Sequence, residues 1–471
     1  MTTHADRLVD FTLRLPGWAV VTACSILAVM LGWAFVNQPL LAVLPVMLLV
    51  ALPLILSARV RYVAVVFGAL TIFQSSEELT PAKLLYLFVL GVSFGAALVR
   101  LPSLVTTPAY RDLRPLLRAS GVLFALILVS LPVATLSDVH QKAWLRDVAA
   151  YVLVASAPIF AIDAQASFSL RTLKRLLVAG GVLGALGFTA QWLTNRDIAD
   201  LSFIPVGLPT LLLASTVFAY GVAALLHGNR HRIAWAILTS LVFAMLLSTG
   251  TRTALVLLAA PLAIALGSTH RLTQRSLRLI VAAPILVVLV FLGSEAVLAV
   301  TNADRERVEN RTEILFRSGN TGTEDTDHSY LDRLAQTDAS WEAFREAPIV
   351  GTGPGKPILW ENSFGVPQES SFVDTPLSFL AKFGLLGLIA AGFLIVGYAG
   401  SLRAFRARTR APTILQLALI GYGAVVVAWS LLQNPYEDKG FAIGLMLLLA
   451  ACAREAGDAA RVERPADAYE Q

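Results

Sequence analysis

The side chains best suited to chemistry in this sequence stand at the edges of apolar segments. Residues 247–254, LSTGTRTA, form a tight turn between two apolar runs and place Arg252 among hydroxyl side chains. A guanidinium keeps its charge and can bind a phosphate through two parallel hydrogen bonds. The turn is therefore a candidate phosphate-binding site. The alternative is an interfacial arginine whose long side chain reaches the phosphates of ordinary lipids.

The elements that must position such residues are membrane helices. Of the 471 residues, 56% are hydrophobic and 15% charged, whereas soluble domains have about 25% charged residues. The apolar residues gather in runs near the length that spans a bilayer, where the backbone must be helical. This pattern excludes a soluble enzyme and predicts an all-α polytopic membrane helix bundle of 12–14 transmembrane helices with one large, partly helical extracytoplasmic loop.

Fourteen segments are candidate spans. They are residues 15–36, 39–57, 62–74, 84–100, 121–137, 148–164, 175–193, 205–227, 233–249, 253–268, 278–300, 377–399, 414–433 and 440–453. Segments 62–74 and 440–453 are the weakest, and one pair could be re-entrant, which would leave twelve. The chain then divides into membrane helices 1–11 (1–298), the large loop (299–375), membrane helices 12–14 (376–453) and a tail (454–471).

The distribution of basic residues predicts the orientation. With both termini in the cytoplasm, most of the 37 Lys and Arg residues fall in the inner loops and few in the short outer ones, as the positive-inside rule requires. The basic charge is thus a topology signal, and nucleic acid is not expected as a partner. Ionisable residues are rare inside the segments, which argues against an ion-coupled transporter; Lys382 stands about one and a half turns from the outer end of its segment.

The loop 299–375 contains most of the polar chemistry, and loops of this length are usually functional. Residues 329–348 predict a helix that ends at Pro348. Leu331, Leu334, Trp341 and Phe344 lie near one face of it. This apolar face packs the loop onto the membrane domain or, alternatively, contacts the substrate.

Three stretches together resemble the membrane-embedded O-antigen ligase and O-antigen polymerase superfamily. Thr249-Gly250-Thr251-Arg252 is similar to its Ser-x-Ser-Arg turn. The residues Arg333, Trp341, Phe344 and 348–355 (PIVGTGPG) are similar to its large-loop signature, and Leu377, Leu380 and 384–387 (GLLG) to the helix that follows. The resemblance covers roughly residues 180–450. By itself the glycine-rich stretch predicts a turn and not a phosphate loop, because no strand–helix context surrounds it.

The resemblance implies an inverting transfer of a glycan from a polyprenyl-diphosphate donor, on the outer face of the bacterial cytoplasmic membrane. The acceptor would be a hydroxyl on a glycan, a lipid or a protein, and membrane lipids would be the other partners. Fixed cations would stabilise the departing diphosphate. Arg252 is the first candidate and Arg196 the second. Further substrate-binding candidates are Arg311, Arg317, Arg333, Lys382 and His328.

The sequence departs from the family where a base is expected. The family's His-Asn pair corresponds here to Val373-Asp374, so Asp374 becomes the candidate base, with His328 and His140 as remote alternatives. Asp374 could instead be the N-cap of the next helix. Glu437 and Asp438, in an outer turn, are further candidate bases or simply solvated residues. The loop at Arg196 resembles the family's earlier arginine-bearing loop. The match is weaker there, because Pro205-Val206 stands where the family often has Pro-Asn.

Neither a metal nor a cofactor is expected, because no cluster of His and Asp has ligand spacing. The sequence therefore predicts a metal-independent glycosyltransferase of the ligase or polymerase type. The alternative functions are a transporter or flippase for lipid-linked glycans, and a non-catalytic assembly partner.

Overall fold

The computed structural model describes residues 39–72, 81–194, 209–226, 232–248, 252–267, 328–409, 411–437 and 439–462. These residues form thirteen α-helices and a single two-stranded sheet. The predicted fold class, an all-α polytopic membrane protein, is confirmed. The predicted segments 15–36 and 278–300 lie outside the described residues.

The thirteen described helices follow one another along the chain. They are α1 (Pro39–Leu56), α2 (Ala58–Ile72), α3 (Pro81–Leu104), α4 (Pro108–Leu136), α5 (Gln141–Ser167), α6 (Leu170–Thr194), α7 (Pro209–Leu226), α8 (Arg232–Ser248), α9 (Arg252–Gly267), α10 (His328–Glu346), α11 (Ser378–Ala407), α12 (Ile414–Ser430) and α13 (Lys439–Val462). The strands are β1 (Ile358–Glu361) and β2 (Pro367–Ser370), and a short 3-10 turn covers Pro435–Glu437.

Five described helices are long and apolar enough to cross a membrane, namely those within Lys83–Leu104, Pro108–Leu136, Gln141–Ser167, Ser378–Ala407 and Gly440–Ala459. A sixth span is possible if α1 and α2, which are bent by 118° at their junction, are counted as one broken span. The bend lies between the predicted segments 39–57 and 62–74. Segment 440–453 is longer than predicted: α13 continues to Val462, and its Gly440–Ala459 portion is long and apolar enough to span a membrane.

The centre of the bundle is formed by α5 and α13, which are buried over most of their length. The two helices pack against each other through small and branched apolar residues, including Ala155, Ile162, Leu445 and Leu449. Polar side chains on these central helices must therefore find partners inside the protein, since unpaired buried polar groups are costly. The charged residues of α5 are accordingly paired with residues from other segments.

The ion pairs fall into two groups, one at each end of the bundle. Arg61–Asp163, Lys174–Glu455 and Arg408–Asp112 join residues at segment ends assigned to the inner side. Lys382–Glu437, Lys382–Asp147 and Arg333–Asp374 join residues assigned to the outer side. Three regions that are distant in sequence, around residues 147, 333–382 and 437, thus meet at one end of the bundle.

The predicted loop helix exists as α10, which ends before Pro348 as expected. Its apolar stripe does not pack as predicted: Leu331, Leu334 and Trp341 are exposed. The buried side of α10 is instead formed by small residues, Ser340 among them, beside Ile358 and Val373. Small side chains allow the close approach of the loop backbone, so they take the inner face in place of the bulky ones.

The sheet was not predicted. β1 and β2 pair antiparallel, with Ile358 opposite Ser370 and Glu361 opposite Pro367. The Asn362 side chain accepts hydrogen bonds from the backbone N–H groups of Phe364 and Val366, and Gly365 has a φ of 71°. This is the local chemistry of a tight turn, since Asn side chains and glycines with positive φ stabilise reversals of the chain.

Candidate active site

A buried lysine lies at the centre of the candidate site. The Lys382 side chain, on α11, is only 1% exposed, and its Nζ donates to Oε1 of Glu437 at 2.7 Å and to Oδ2 of Asp147 at 3.2 Å. Asp147 belongs to α5, and Glu437 ends the short 3-10 turn. We call these three residues the outer triad. Its two carboxylates and one ammonium leave a net charge of −1.

Asp147 is fully enclosed and fully hydrogen-bonded. Its Oδ1 accepts from the Ser371 hydroxyl at 3.2 Å and from Nε of Arg146 at 3.0 Å, and its Oδ2 accepts from the backbone N–H of Gly355 at 2.9 Å. Arg146 also donates to Ser371. These donors fix the position of the Asp147 carboxylate, so Asp147 can hold Lys382 in place.

Glu437 is hydrogen-bonded through one oxygen. Its Oε1 accepts from Tyr151 at 2.8 Å and from Ser378 at 3.3 Å, in addition to Lys382. Asn434 donates to both of these hydroxyl groups. In the part of the chain that the structure describes, no hydrogen bond is made to Oε2. The carboxylate is therefore fixed at one oxygen while the other can accept a bond from a substrate.

An aromatic ring covers the cations of the site. Phe372 lies 4.9 Å from the Lys382 ammonium and 5.0 Å from the Arg146 guanidinium, measured to the ring centroid. Both distances are within the range of cation–π contacts. The Arg146 side chain is 18% exposed, so it brings positive charge to the surface of the site.

The glycine-rich stretch 348–355 builds the site through its backbone. α11 is interrupted at Gly384, whose φ of 60° and ψ of −155° are not helical. The loop fills the gap: Thr352 N–H donates to Ala381 C=O at 2.9 Å and Gly353 N–H to Lys382 C=O at 3.1 Å. Because these carbonyls have lost their helical partners, the loop satisfies groups that would otherwise be unpaired in an apolar setting.

Two glycines in this stretch permit close contact between backbones. A Cβ at Gly351, where φ is 74°, would lie 2.3 Å from the carbonyl carbon of Lys382. A Cβ at Gly355, where φ is 86°, would lie 2.6 Å from the backbone nitrogen of Trp144. The stretch is a turn, as the sequence predicts, and its glycines are required because only glycine combines this backbone conformation with the absence of a Cβ.

Asp374 and Arg333 form a second, more exposed ion pair beside the triad. The Nη2 and Nε atoms of Arg333 lie 3.1 and 3.2 Å from Oδ2 of Asp374. Burial of the carboxyl raises the pKa of Asp374 above its usual value, and the Arg333 charge and a hydrogen bond from Gln433 oppose this shift. Gln433 precedes Asn434, so the pair and the triad are adjacent through this turn.

The alternative role of Asp374 as an N-cap is wrong. The residue that caps α11 is Leu377, with no side-chain hydrogen bond, because the helix begins later than the sequence indicated. Val373, at the position of the family histidine, is buried against Ile358 and Ala381. His140 has a structural role: it is the N-cap of α5, and its Nδ1 accepts from Lys142 N–H at 3.2 Å.

The structure brings together four of the predicted site residues, Lys382 and Glu437 in the triad and Arg333 and Asp374 in the neighbouring pair. Arg252 begins α9 and His328 begins α10, but neither side chain is among the described ones. The remaining candidates also lie outside the described residues: Arg196, Arg311, Arg317 and Asp438.

Sequence reasoning missed the residues that complete the triad's surroundings, above all Asp147 with Arg146 and Tyr151. The predicted segment began at residue 148, whereas α5 begins at Gln141. The structure places Asp147 in the second turn of α5 and not in the preceding loop, still near the end of the segment. The adjacent opposite charges of Arg146 and Asp147, directly before an apolar run, were the signal that could have identified them.

The described part of the chain contains no group of three His, Cys, Asp or Glu side chains that could hold a metal ion. The described residues of the site offer carboxylates, hydroxyls and fixed cations. A carboxylate can accept a proton, and guanidinium groups can stabilise a developing anion.

Residues 236–392 match the model of the O-antigen ligase family. The matched region includes Arg252, Arg333, Asp374 and Lys382, and it excludes Asp147 and Glu437. The match confirms the resemblance to the O-antigen ligase-like superfamily and supports a ligase-type function in glycan transfer, with a lipid-linked glycan donor and a glycan acceptor in general terms. No curated protein matches the chain.

Proposed function

We propose that this chain, which carries an O-antigen ligase domain, transfers a polyprenyl-diphosphate-linked glycan to an acceptor hydroxyl at the outer face of the bacterial cytoplasmic membrane. Both termini would then be cytoplasmic. The observation that carries the proposal is the outer triad beside the Arg333–Asp374 pair. Two segments outside the matched region and one within it contribute to this charged site, at the end where a lipid-linked headgroup would project.

The proposed reaction forms one bond and breaks one. The acceptor oxygen bonds to the anomeric carbon of the donor sugar with inversion, and the bond between that carbon and the diphosphate oxygen breaks. The acceptor proton passes to a carboxylate, and the polyprenyl diphosphate leaves with the electron pair. The charges balance without a metal ion if cationic side chains stabilise the diphosphate as its charge develops.

The cations proposed for that role are Arg252 first and Arg196 second, with Arg311, Arg317 and His328 as further contacts to the donor. Arg146 joins this set on structural grounds. It is partly exposed at the surface of the site, beside Phe372, so its positive charge can stabilise an anion there.

Asp374 is the proposed base. Its side chain is 37% exposed, so an acceptor hydroxyl can reach it, and its raised pKa makes it a stronger base than an ordinary aspartate. Arg333 orients the carboxylate through Oδ2. Glu437 is the alternative base, because its Oε2 makes no hydrogen bond within the described residues. Lys382 is a positioning residue in this scheme, since both of its partners are carboxylates of the protein and its side chain is buried.

The test is transfer of a radiolabelled, polyprenyl-diphosphate-linked oligosaccharide to acceptor in proteoliposomes containing the full chain. We expect Asp374→Asn to reduce the rate at least 100-fold, in line with the size of general-base contributions. The matched control is Asp338→Asn, on the exposed side of α10, which should retain the wild-type rate. Full activity of Asp374→Asn would exclude this base and leave Glu437→Gln to be tested in the same assay.

The cation role has its own pair of variants. Arg252→Ala should abolish transfer, whereas Arg345→Ala, an exposed arginine near the end of α10, should not. Unchanged transfer by Arg252→Ala would contradict the central assignment.

A transporter for the lipid-linked glycan is the second candidate. Two observations favour it: the interruption of α11 at Gly384 and the buried ionisable triad, since broken helices and intramembrane charges are typical of transport sites. The two functions differ in their products. A transferase forms a new glycosidic bond in vesicles, whereas a transporter moves the labelled donor between leaflets and leaves it chemically unchanged.

A further inference from the structure

We propose that the opposite end of the bundle carries a binding site for the phosphate of an anionic phospholipid. The site is centred on Asp163, which is sixteen residues beyond Asp147 on α5, about 24 Å along a helix of this length. It is therefore separate from the outer triad, on the side that the sequence assigns to the cytoplasm.

Asp163 is neutralised by a fully buried arginine. Arg61 binds it with two parallel hydrogen bonds, Nε to Oδ2 at 2.6 Å and Nη2 to Oδ1 at 3.0 Å. The remaining Nη1 of Arg61 donates to the C=O groups of Leu54 and Ile55 at 2.9 and 3.1 Å. These carbonyls end α1 at the 118° bend, so every donor nitrogen of Arg61 is used inside the protein.

Two further arginines are left in excess of the negative charge. Arg100 donates only Nη1 to Asp163, at 2.9 Å, and its side chain is 42% exposed. Arg59 donates Nε to the backbone C=O of Ser167 at 3.0 Å. In the described contacts, Nε and Nη2 of Arg100 and both Nη atoms of Arg59 have no partner. The cluster of Arg59, Arg61, Arg100 and Asp163 has a net charge of +2.

The two exposed guanidinium groups bind positions one helical turn apart on α5. Asp163 and Ser167 are four residues apart, so they lie on one face of the helix at successive turns. Arg59 and Arg100 are bound to these two positions from α2 and α3. Two guanidinium groups with unused donors at this spacing are suited to an oxyanion that accepts several hydrogen bonds.

The surroundings identify the oxyanion as a lipid phosphate. Val99, adjacent to Arg100, is 82% exposed, and Leu56, Val60 and Val63 on the neighbouring helices are exposed as well. Apolar side chains on a membrane protein face acyl chains, and the arginines stand at the end of this apolar surface, where headgroups are found. The excess charge of +2 on the arginines repels the positively charged choline or amine of a zwitterionic headgroup. An anionic headgroup has no such group and is therefore favoured.

The test uses the full chain in detergent, titrated with phosphatidylglycerol or phosphatidylcholine. Thermal unfolding and native mass spectrometry report stabilisation and retained lipid. We expect phosphatidylglycerol to bind with at least about tenfold higher affinity than phosphatidylcholine, and Arg59→Gln combined with Arg100→Gln to remove this preference. The control Arg403→Gln removes one charge from an exposed inner position and should keep the preference.

Three results would overturn the proposal. These are equal binding of the two lipids, an unchanged preference in the double variant, and the same stabilisation by inorganic phosphate without lipid, which would indicate a site for a soluble anion. If the double variant fails to fold, Arg59→Gln alone serves, since its Nε bonds only a backbone carbonyl at the surface. That variant should then lose at least a part of the phosphatidylglycerol preference, and an unchanged preference would again contradict the site.

Discussion

Gly355 and Asp147 are 208 residues apart in the chain, and the backbone N–H of Gly355 donates a 2.9 Å hydrogen bond to Oδ2 of Asp147. The same oxygen accepts from Lys382. The last glycine of the loop signature is therefore bound to a carboxylate that lies far outside the family match. This contact links the loop, the central helix α5 and the interrupted helix α11 at one point.

Replacement of Lys382 by methionine should strongly destabilise the protein. Two carboxylates would lose their buried cation, and loss of one partner of a buried ion pair costs about 3–5 kcal/mol. Thermal unfolding in detergent measures the effect. Lys356→Met is the matched control, because Lys356 pairs at 3.6 Å with the exposed Glu346 and its loss should cost at most about 1 kcal/mol. Similar unfolding temperatures for the two variants would contradict the triad's structural role.

Gly355→Ala and Gly365→Ala should separate backbone strain from steric exclusion. Both glycines have positive φ, so each alanine is strained by about 1–2 kcal/mol. Only at Gly355 would the Cβ also collide with the backbone of Trp144; at Gly365 nothing lies within 4 Å. We expect Gly365→Ala to fold with a modest loss of stability and Gly355→Ala to be recovered poorly or to lose transfer activity. Equal behaviour would show that the close approach at Gly355 is unimportant.

The pH dependence of transfer should report Asp374. A base must be deprotonated to act. Because the pKa of Asp374 is raised, kcat/KM should fall on the acidic side at a pH above the ordinary aspartate pKa of about 3.9. Activity should rise with pH through this acidic limb. Because Arg333 lowers the pKa, Arg333→Gln should move the limb to higher pH, whereas Arg345→Gln should leave it in place. A limb that stays fixed in Arg333→Gln would mean that another group titrates.

The two faces of α10 should respond oppositely to substitution. Trp341 is 47% exposed and Ser340 is buried. Trp341→Gln should therefore change the unfolding temperature little, while Ser340→Leu should destabilise by about 1–3 kcal/mol through overpacking. Both are measured by thermal unfolding. The reverse order would show that the apolar stripe is the packed face after all.

Much of the architecture was predictable because it depends on local composition. Apolar runs of about 20 residues must be helical in a bilayer, and helices such as α1, α8 and α9 begin and end within a few residues of the predicted segments. The start of α5 was not predictable in this way, since Asp147 and Arg146 look like a loop until their partners are known. The buried side of α10 was missed for a related reason: hydrophobicity predicts which residues prefer burial, whereas packing selected small residues that allow close approach.

The sequence alone determined that this is a helical membrane protein and that it resembles the O-antigen ligase-like superfamily; its charge distribution predicts, by the positive-inside rule, the side on which each segment end lies. Only the tertiary structure decided that Asp147, Lys382 and Glu437 share one buried network, that Asp374 pairs with Arg333 instead of capping α11, and that Arg59 and Arg100 are in excess around Asp163. The physical reason is the same in each case. A charged side chain in an apolar protein is stable only beside a partner, and the partner is set by helix packing between segments that are distant in the chain.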